Sequence, residues 1–400
     1  MKLKVFSPSD VKGKRVLVRV DFNVPLKNAS PSDSTRILAH KETVGALLDA
    51  GASVALASHL GRPKGRIVPD MSLSHVTEAA SEIFGRPVIF SSRCIGAEVE
   101  KKMKALSGGE VLLLENLRFH PEEEKNDEDF ARLLANPFEV FVMDAFSASH
   151  RANSSTSAIM DCLPSYAGFL LQREVEMLSA VSGTPEKPFV LILGGAKVSD
   201  KIGVVEHLMD KATSILVGGG MAFTFLKAQG GAIGNSLFEE ERSEFARDMI
   251  KMAEGRGVEL LLPVDTVAAS AIDAASDAMV VPAGDIPDGL MGLDIGPETA
   301  ALFAEKAAAA RTLLWNGPMG VFENPLFAEG TKRVAEGVAL CTGRGGITVV
   351  GGGDTAAAAK QLGFAQDVSH VSTGGGASLE FCEGKSLPGI APLINDSQQN

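Results

Sequence analysis

Short apolar runs recur along the chain, separated by longer stretches with helical spacing. In the first half they fall at residues 15–20 (RVLVRV), 53–57 (SVALA), 111–114 (VLLL) and 140–143 (VFVM). In the second half they fall at 189–193 (FVLIL), 215–217 (ILV), 258–262 (VELLL), 312–315 (TLLW) and 347–350 (ITVV). Runs this short and rich in β-branched residues predict strands buried on both faces, as in parallel sheets covered by helices. Between them, residues 37–50 predict a helix, as does the alanine run that ends at Lys360. Leu171, Val175, Leu178 and Val181 recur at amphipathic spacing and predict another over 170–181. The fold class is therefore α/β with mostly parallel sheets.

The residues just beyond each strand differ between the halves. In the first, the strand at 53–57 runs into His59 and Arg62, that at 111–114 into Arg118 and His120, and that at 140–143 into His150 and Arg151. Arg36 lies just before the helical 37–50 stretch. Open α/β sheets bind ligands beyond the carboxyl ends of their strands, so this grouping predicts an anion pocket. Arginine suits it, because the planar guanidinium grips carboxylate or phosphate with two hydrogen bonds. In the second half the strands run instead into glycines: Gly194 and Gly195, residues 218–220, Gly317 and Gly320, residues 351–353 and residues 374–376. Glycines let backbone amides surround a large flat or polyphosphate ligand. The stretch SGTPEKP at 182–188 breaks the chain after the 170–181 helix, and the domain boundary is placed around that helix. A chain of 400 residues exceeds one typical core, which also predicts two domains.

Composition narrows the partners. Net charge is −12, which argues against nucleic acid or an anionic membrane as the main partner. Any anion site must then be a local basic cluster. Cys94, Cys162, Cys341 and Cys382 lie far apart without C-x-x-C spacing, as expected of free thiols in a reducing compartment. The N-terminus lacks the apolar core of a signal peptide and no apolar run is long enough to span a bilayer, so the expected location is cytoplasmic.

The candidate chemistry concentrates at residues 351–355, GGGDT. A helix that starts in a glycine loop offers unpaired N–H groups and the positive end of its dipole to an anion. Asp354 would repel a bare phosphate, and Mg²⁺ bridging its carboxylate to nucleotide phosphates resolves the conflict. The letters also satisfy G-x-G-x-x-A through Gly351, Gly353 and Ala356. That fingerprint needs an acidic ribose partner about 20 residues on, and Asp367 falls short of it while Glu380 lies beyond. Lys197 and Lys201, four apart, would share a face if a helix begins at their glycine turn. There is no G-x-x-x-x-G-K-[ST] and no H-R-D loop. His40, His75 and His207 read as surface or packing residues, and the acidic run at 122–129 as a solvated helix start. The tail from Lys385 reads as a non-helical excursion.

Ten ordered strings carry a resemblance to the phosphoglycerate kinase family over nearly the full length. They are RVDFNVP (19–25), SHLGRPKG (58–65), LLLENLRFHPEEE (112–124), DAFSASHRA (144–152), GGAKVSDKI (194–202), GGGMAFTFL (218–226), LLPVD (261–265), WNGPMGVFE (315–323), GGGDT (351–355) and STGGGASLE (372–380). The resemblance implies two Rossmann-like domains, each a mostly parallel sheet flanked by helices, joined by a hinge helix. The first covers residues 1–170, joined by the tail from about 385 to 400, and binds phosphoglycerate; the second covers 171–384, includes the connecting helix and binds nucleotide. It implies reversible phosphoryl transfer from 1,3-bisphosphoglycerate to ADP, giving 3-phosphoglycerate and ATP, with Mg²⁺ as part of the nucleotide, by in-line transfer after hinge closure in a monomer. By likeness, Asp21, Phe22, Asn23, Arg36, His59, Leu60, Gly61, Arg62, Arg118 and Arg151 hold the phosphoglycerate. Gly195, Lys201, Gly219, Gly220, Gly292, Asn316, Glu323, Gly351, Gly352, Gly353, Asp354 and Thr355 hold the nucleotide, with Asp354 towards the metal. By the same likeness, Arg36, Lys197 and Gly375 would form the catalytic set.

Some positions depart from the family pattern. Ser147 stands where the family usually has glycine, and Asn153 where it has histidine or similar. The segment NASPSDS (28–34) lacks the usual turn glycine, and HKET (40–43) replaces an LPTI-like run. Two other readings stay open on the residues alone. An NAD-linked dehydrogenase of small phosphorylated acids would explain the glycines but leave Asp354 and Lys197 idle. A silent metabolite-binding protein would have no use for Lys197.

Overall fold

The apolar runs of the first half form a six-stranded parallel sheet. Its strands are β1 (Arg15–Arg19), β2 (Ser53–Ala57), β3 (Val88–Phe90), β4 (Val111–Leu113), β5 (Val140–Met143) and β6 (Ser165–Ala167), in the order β3-β4-β2-β1-β5-β6. β2 and β5 keep the bounds read from the sequence, whereas β3 and β6 carry too few apolar residues to stand out. The computed structural model describes residues 1–273 and 277–395. The chain divides into two units: Met1–Glu176 with the segment from Ser386 onward, and Met177–Lys385.

In the first unit the helix expected over 37–50 is two helices, α1 (Thr35–Ala39) and α2 (Lys41–Asp49), broken at His40. The His40 ring is fully buried, so the reading of it as a surface or packing residue is incomplete; it is hydrogen-bonded at both nitrogens. The segment lacking a turn glycine folds as a hairpin, Leu26–Lys27 against Ser30–Pro31, with Asn28 and Ala29 at φ 53° and 57°. Asp127 caps α3 (Glu128–Ala135), its carboxylate accepting the Phe130 N–H at 2.8 Å, so the acidic run does start a helix. Glu123 corrects the rest of that reading. It is fully buried, accepts hydrogen bonds from the Ser155 N–H and hydroxyl, and its carboxyl is raised by burial.

Residues 170–181 are helical as expected, within α4 (Phe169–Ser182), and the division between the units falls inside this helix. Its first amides are met from a distance: Thr43 Oγ1 accepts from Phe169 N–H at 3.0 Å, and Asp144 Oδ1 from Leu170 and Leu171 at 3.0 and 3.3 Å. Gly168 permits this approach, since a Cβ there would lie 2.1 Å from Asp144 Oδ1. The tail is non-helical apart from one short turn and belongs to the first unit, where Lys4 N–H donates to Leu393 O at 2.8 Å and Gly389 N–H to Ser149 O at 2.8 Å.

The second unit has its own parallel sheet: β7 (Phe189–Leu193), β8 (Ser214–Val217), β9 (Glu259–Leu261), β10 (Thr312–Asn316), β11 (Ile347–Gly351) and β12 (His370–Val371). The order β9-β8-β7-β10-β11-β12 is that of doubly wound nucleotide-binding sheets, with the reversal of winding between β7 and β10. Its helices include α5 (Ile202–Leu208), α6 (Pro297–Ala308), α7 (Glu329–Gly343), α8 (Gly353–Gln361) and α9 (Gly376–Cys382). Trp315 is fully buried in this core and stacks on Phe364 with centroids 5.3 Å apart. A three-stranded antiparallel sheet, Asp265–Ala269, Met279–Pro282 and Met291–Ile295, lies between β9 and β10 in sequence. All four cysteines are free, and no helix among the described residues is long and apolar enough to cross a membrane.

Candidate active site

Each unit gathers functional side chains or backbone at the carboxyl ends of its parallel strands. In the first, β1 leads to Asp21 and Asn23. Arg36 on α1 donates from Nη1 to Asp21 Oδ2 at 2.7 Å, and Ser147 hydroxyl donates to the same oxygen. Asn23 N–H reaches Asp21 Oδ1 at 3.0 Å. Burial alone would raise the Asp21 carboxyl; the Arg36 charge and these hydrogen bonds outweigh it and hold it below the usual carboxylate range. Asn23 Oδ1 in turn accepts the Gly61 N–H at 2.9 Å, and Arg118 Nη1 donates to Gly61 O at 2.9 Å. One loop after β2 is thereby tied to the ends of β1 and β4. Arg62 and Arg151 are exposed.

His59 corrects the reading of this cluster as uniformly cationic. Arg19, fully buried at the end of β1, lies 3.2 Å from His59 Nδ1. A guanidinium can only donate, so Nδ1 accepts and the ring proton sits on Nε2. Burial, then the Arg19 charge, push His59 well below its ordinary value. His59 is therefore a neutral N–H donor among charged neighbours. Arg19 is itself held by Ser155, whose hydroxyl accepts from its Nε at 2.8 Å and donates to the buried Glu123 at 2.6 Å. No single sequence motif joins this line, because Arg19, Glu123 and Ser155 come from three distant segments. Phe22 packs its fully buried ring near His40 and Phe84, and Leu60 is also buried, so these two contribute packing from their side chains.

In the second unit, β7 and β10 end in glycines that touch backbone to backbone. A Cβ on Gly317, which has φ 100°, would lie 2.1 Å from the Gly194 carbonyl, so no other residue fits there. The turn after β7 does not begin a helix at Lys197 as the lysine spacing suggested. The Glu239 carboxylate accepts from Val198 and Ser199 N–H and pins a turn, and α5 starts only at Ile202, with Lys201 as its N-cap. The two lysines consequently differ. Lys201 is half-buried, bonded to Asn316 Oδ1, and lowered by burial against the pull of Asp200 and Asp354. Lys197 is exposed and makes no side-chain hydrogen bond or ion pair among the described residues.

Two cavities open here. The larger, about 670 Å³, is lined by the glycine turns at 194–195, 317, 352–353 and 375–376 together with Lys197, Lys201, Asn316, Asp354 and Thr355. Thr355 Oγ1 accepts the Gly317 N–H at 2.6 Å, fixing the start of α8 beside β10, with Asp354 exposed in the first turn. The smaller, about 320 Å³, shares Gly195, Ala196 and Asp354 with it and adds Gly219, Gly220, Gly292 and Glu323. Its apolar walls are Leu237, Met291, Leu293, Val321 and Phe322; the first three lie outside every motif string, and nothing in the WNGPMGVFE string marks Val321 and Phe322 as wall residues. The pair suits a flat apolar group in the slot and a polyanion among the amides.

A family model for phosphoglycerate kinase matches residues 6–385. The chain belongs to the phosphoglycerate kinase family. Among its curated relatives, the phosphoglycerate kinase of Moorella thermoacetica is 53% identical over 384 residues, 96% of this chain and 97% of that one. The protein of Synechococcus elongatus is 50% identical, covering 98% of each, and the cytosolic phosphoglycerate kinase of Triticum aestivum is 51% identical, covering 96% of each. The solved phosphoglycerate kinase structure from Coxiella burnetii superposes with a TM-score of 0.86 at 39% identity, over 96% of this chain and 97% of that one. Membership makes the chain a phosphotransferase of glycolysis, and the dehydrogenase and silent-binder readings are set aside.

Proposed function

We propose that the two strand-end sites divide the family's reaction between them. The first unit holds the acid substrate, 3-phosphoglycerate or 1,3-bisphosphoglycerate, through Asp21, Asn23, Arg36, His59, Arg62, Arg118 and Arg151. The second holds ADP or ATP, the base in the apolar slot with Glu323 on the ribose and the phosphates among the glycine turns with Lys201. The observation that carries this is the segregation itself: charged side chains end the strands of one sheet, and bare backbone amides end those of the other. A small, highly charged acid needs the first, and a long polyphosphate needs the second.

Magnesium enters with the nucleotide. Among the described residues no group of three or more His, Cys, Asp or Glu is placed to hold a metal. Mg²⁺ keeps several of its waters and takes one or two carboxylates plus substrate phosphates. Asp354, exposed in the first turn of α8 and lining both cavities, is the residue placed to receive it. Bound there with the nucleotide, the metal neutralises phosphate charge.

The chemistry asked of the chain is positioning and charge neutralisation, because phosphoryl transfer needs little covalent help. Arg36 from one unit and Lys197 from the other meet the phosphoryl group in flight, with Gly375 offering its backbone beside it. In-line transfer requires both ligands together, so closure about the hinge helix is part of the proposal, as is action as a cytoplasmic monomer. A coupled assay for ATP formation from ADP and 1,3-bisphosphoglycerate tests the reading. Turnover that vanishes on chelation and returns with Mg²⁺ is expected; absence of ATP formation overturns it.

A further inference from the structure

Two side chains from distant segments meet at one residue. Ser147 and His40, 107 positions apart, both bond to Asp21. The Ser147 hydroxyl donates to Asp21 Oδ2, the oxygen that also receives Arg36. His40 Nε2 accepts the Asp21 backbone N–H at 2.9 Å. A backbone N–H can only donate, so the His40 proton is on Nδ1, and it is given to Asp144 Oδ2 at 2.8 Å. The other oxygen of Asp144 holds the first amides of α4. His40 and Asp144 are both fully buried, so neither bond can be exchanged for water. His40 also forms the break between α1 and α2, and α1 carries Arg36.

We infer that His40 and Ser147 are positioning residues that fix the backbone and carboxylate of Asp21, and with it Arg36, before the acid substrate arrives. The inference rests on the assignment of that substrate to the first unit. Removing the serine leaves Arg36 as the one side-chain donor on Oδ2, and the carboxylate is held less tightly in the place set by Arg36 and the Asn23 N–H. Removing the imidazole acceptor leaves a buried N–H unpaired at the end of β1, and that backbone shifts to find a partner.

The test compares Ser147→Ala, His40→Gln and His40→Asn with the parent chain. Ser147→Ala is expected to raise KM for 3-phosphoglycerate about threefold to tenfold, the worth of one hydrogen bond, with kcat and the nucleotide KM unchanged. His40→Gln places an amide oxygen where Nε2 stood and retains most of the parent's affinity. His40→Asn reaches only as far as Nδ1 and loses it, although both variants remove the same ring. Amide exchange at Asp21 in the free protein supplies a readout that needs no substrate: slow in the parent and in His40→Gln, at least tenfold faster in His40→Asn. Equal behaviour of Gln and Asn, or an unchanged KM in Ser147→Ala, overturns the inference. If the parent shows no 3-phosphoglycerate-dependent turnover, the functional assignment fails, and the exchange rates still decide whether His40 fixes Asp21.

Discussion

Asp294 makes the second unit's stability depend on pH in a direction opposite to that of most carboxylates. It sits at the end of the strand Met291–Ile295, nearly fully buried, and accepts from Ile295 N–H at 2.9 Å and from Gly330 N–H at 2.7 Å in the first turn of α7. Burial outweighs these donors and pushes its carboxyl from 3.8 up to about 7. An acid raised on folding binds protons more tightly in the native state, so its contribution is lost as pH rises from the unfolded to the folded value. At roughly 1.4 kcal/mol per pH unit the full loss is about 4 kcal/mol. Roughly 1.5 kcal/mol of that is gone by pH 5, and a further 2 to 3 kcal/mol goes between pH 5 and 8. Trp315, the only tryptophan, is buried in the same unit, so its fluorescence during urea unfolding reports this unit. The parent should lose that further stability between pH 5 and 8 relative to Asp294→Asn, which cannot ionise. Identical pH slopes for parent and variant would show that the buried carboxyl does not set the dependence.

The exposed Lys197 and half-buried Lys201 should separate in steady-state kinetics. Lys197→Ala is expected to lower kcat roughly a hundredfold or more at near-constant KM, whereas Lys201→Ala should mainly raise the nucleotide KM; the reverse pattern would exchange their roles. His59, held neutral by burial and Arg19, should show no titration of its ring proton resonances from pH 6.5 to 8, and a midpoint inside that window would refute that the site keeps the ring neutral. Ala29→Gly should stabilise the first unit by about 0.5–1 kcal/mol, because Ala29 sits at φ 57° where a Cβ is strained. Urea unfolding followed by far-UV dichroism checks it, and a destabilised variant contradicts it.

The parallel strands and their loops were legible because both are local. A buried run such as FVLIL and the glycines after it sit side by side in sequence, and β7 forms at the bounds read there. What stayed hidden depends on partners far away in the chain. Glu123 looked like one acid in a solvated run because Arg19 and Ser155, which explain its burial, lie in other segments. His40 looked idle because its partners are Asp21 and Asp144. His59 looked cationic because position at a strand end says nothing of the tautomer, which Arg19 decides. The Lys197 turn failed as a helix start for the same reason, since Glu239 holds it from 40 residues away.

The tail has a consequence for how the chain is made. Residues 386 onward belong to the first unit, and Leu3 pairs with Ile394 across an antiparallel bridge. During synthesis that partner emerges only after every residue of the second unit has been translated. The second unit is one continuous segment and can condense as it leaves the ribosome. The unit whose sequence comes first must wait for the end of translation to seat its last segment. Order of synthesis and order of completion are thus reversed.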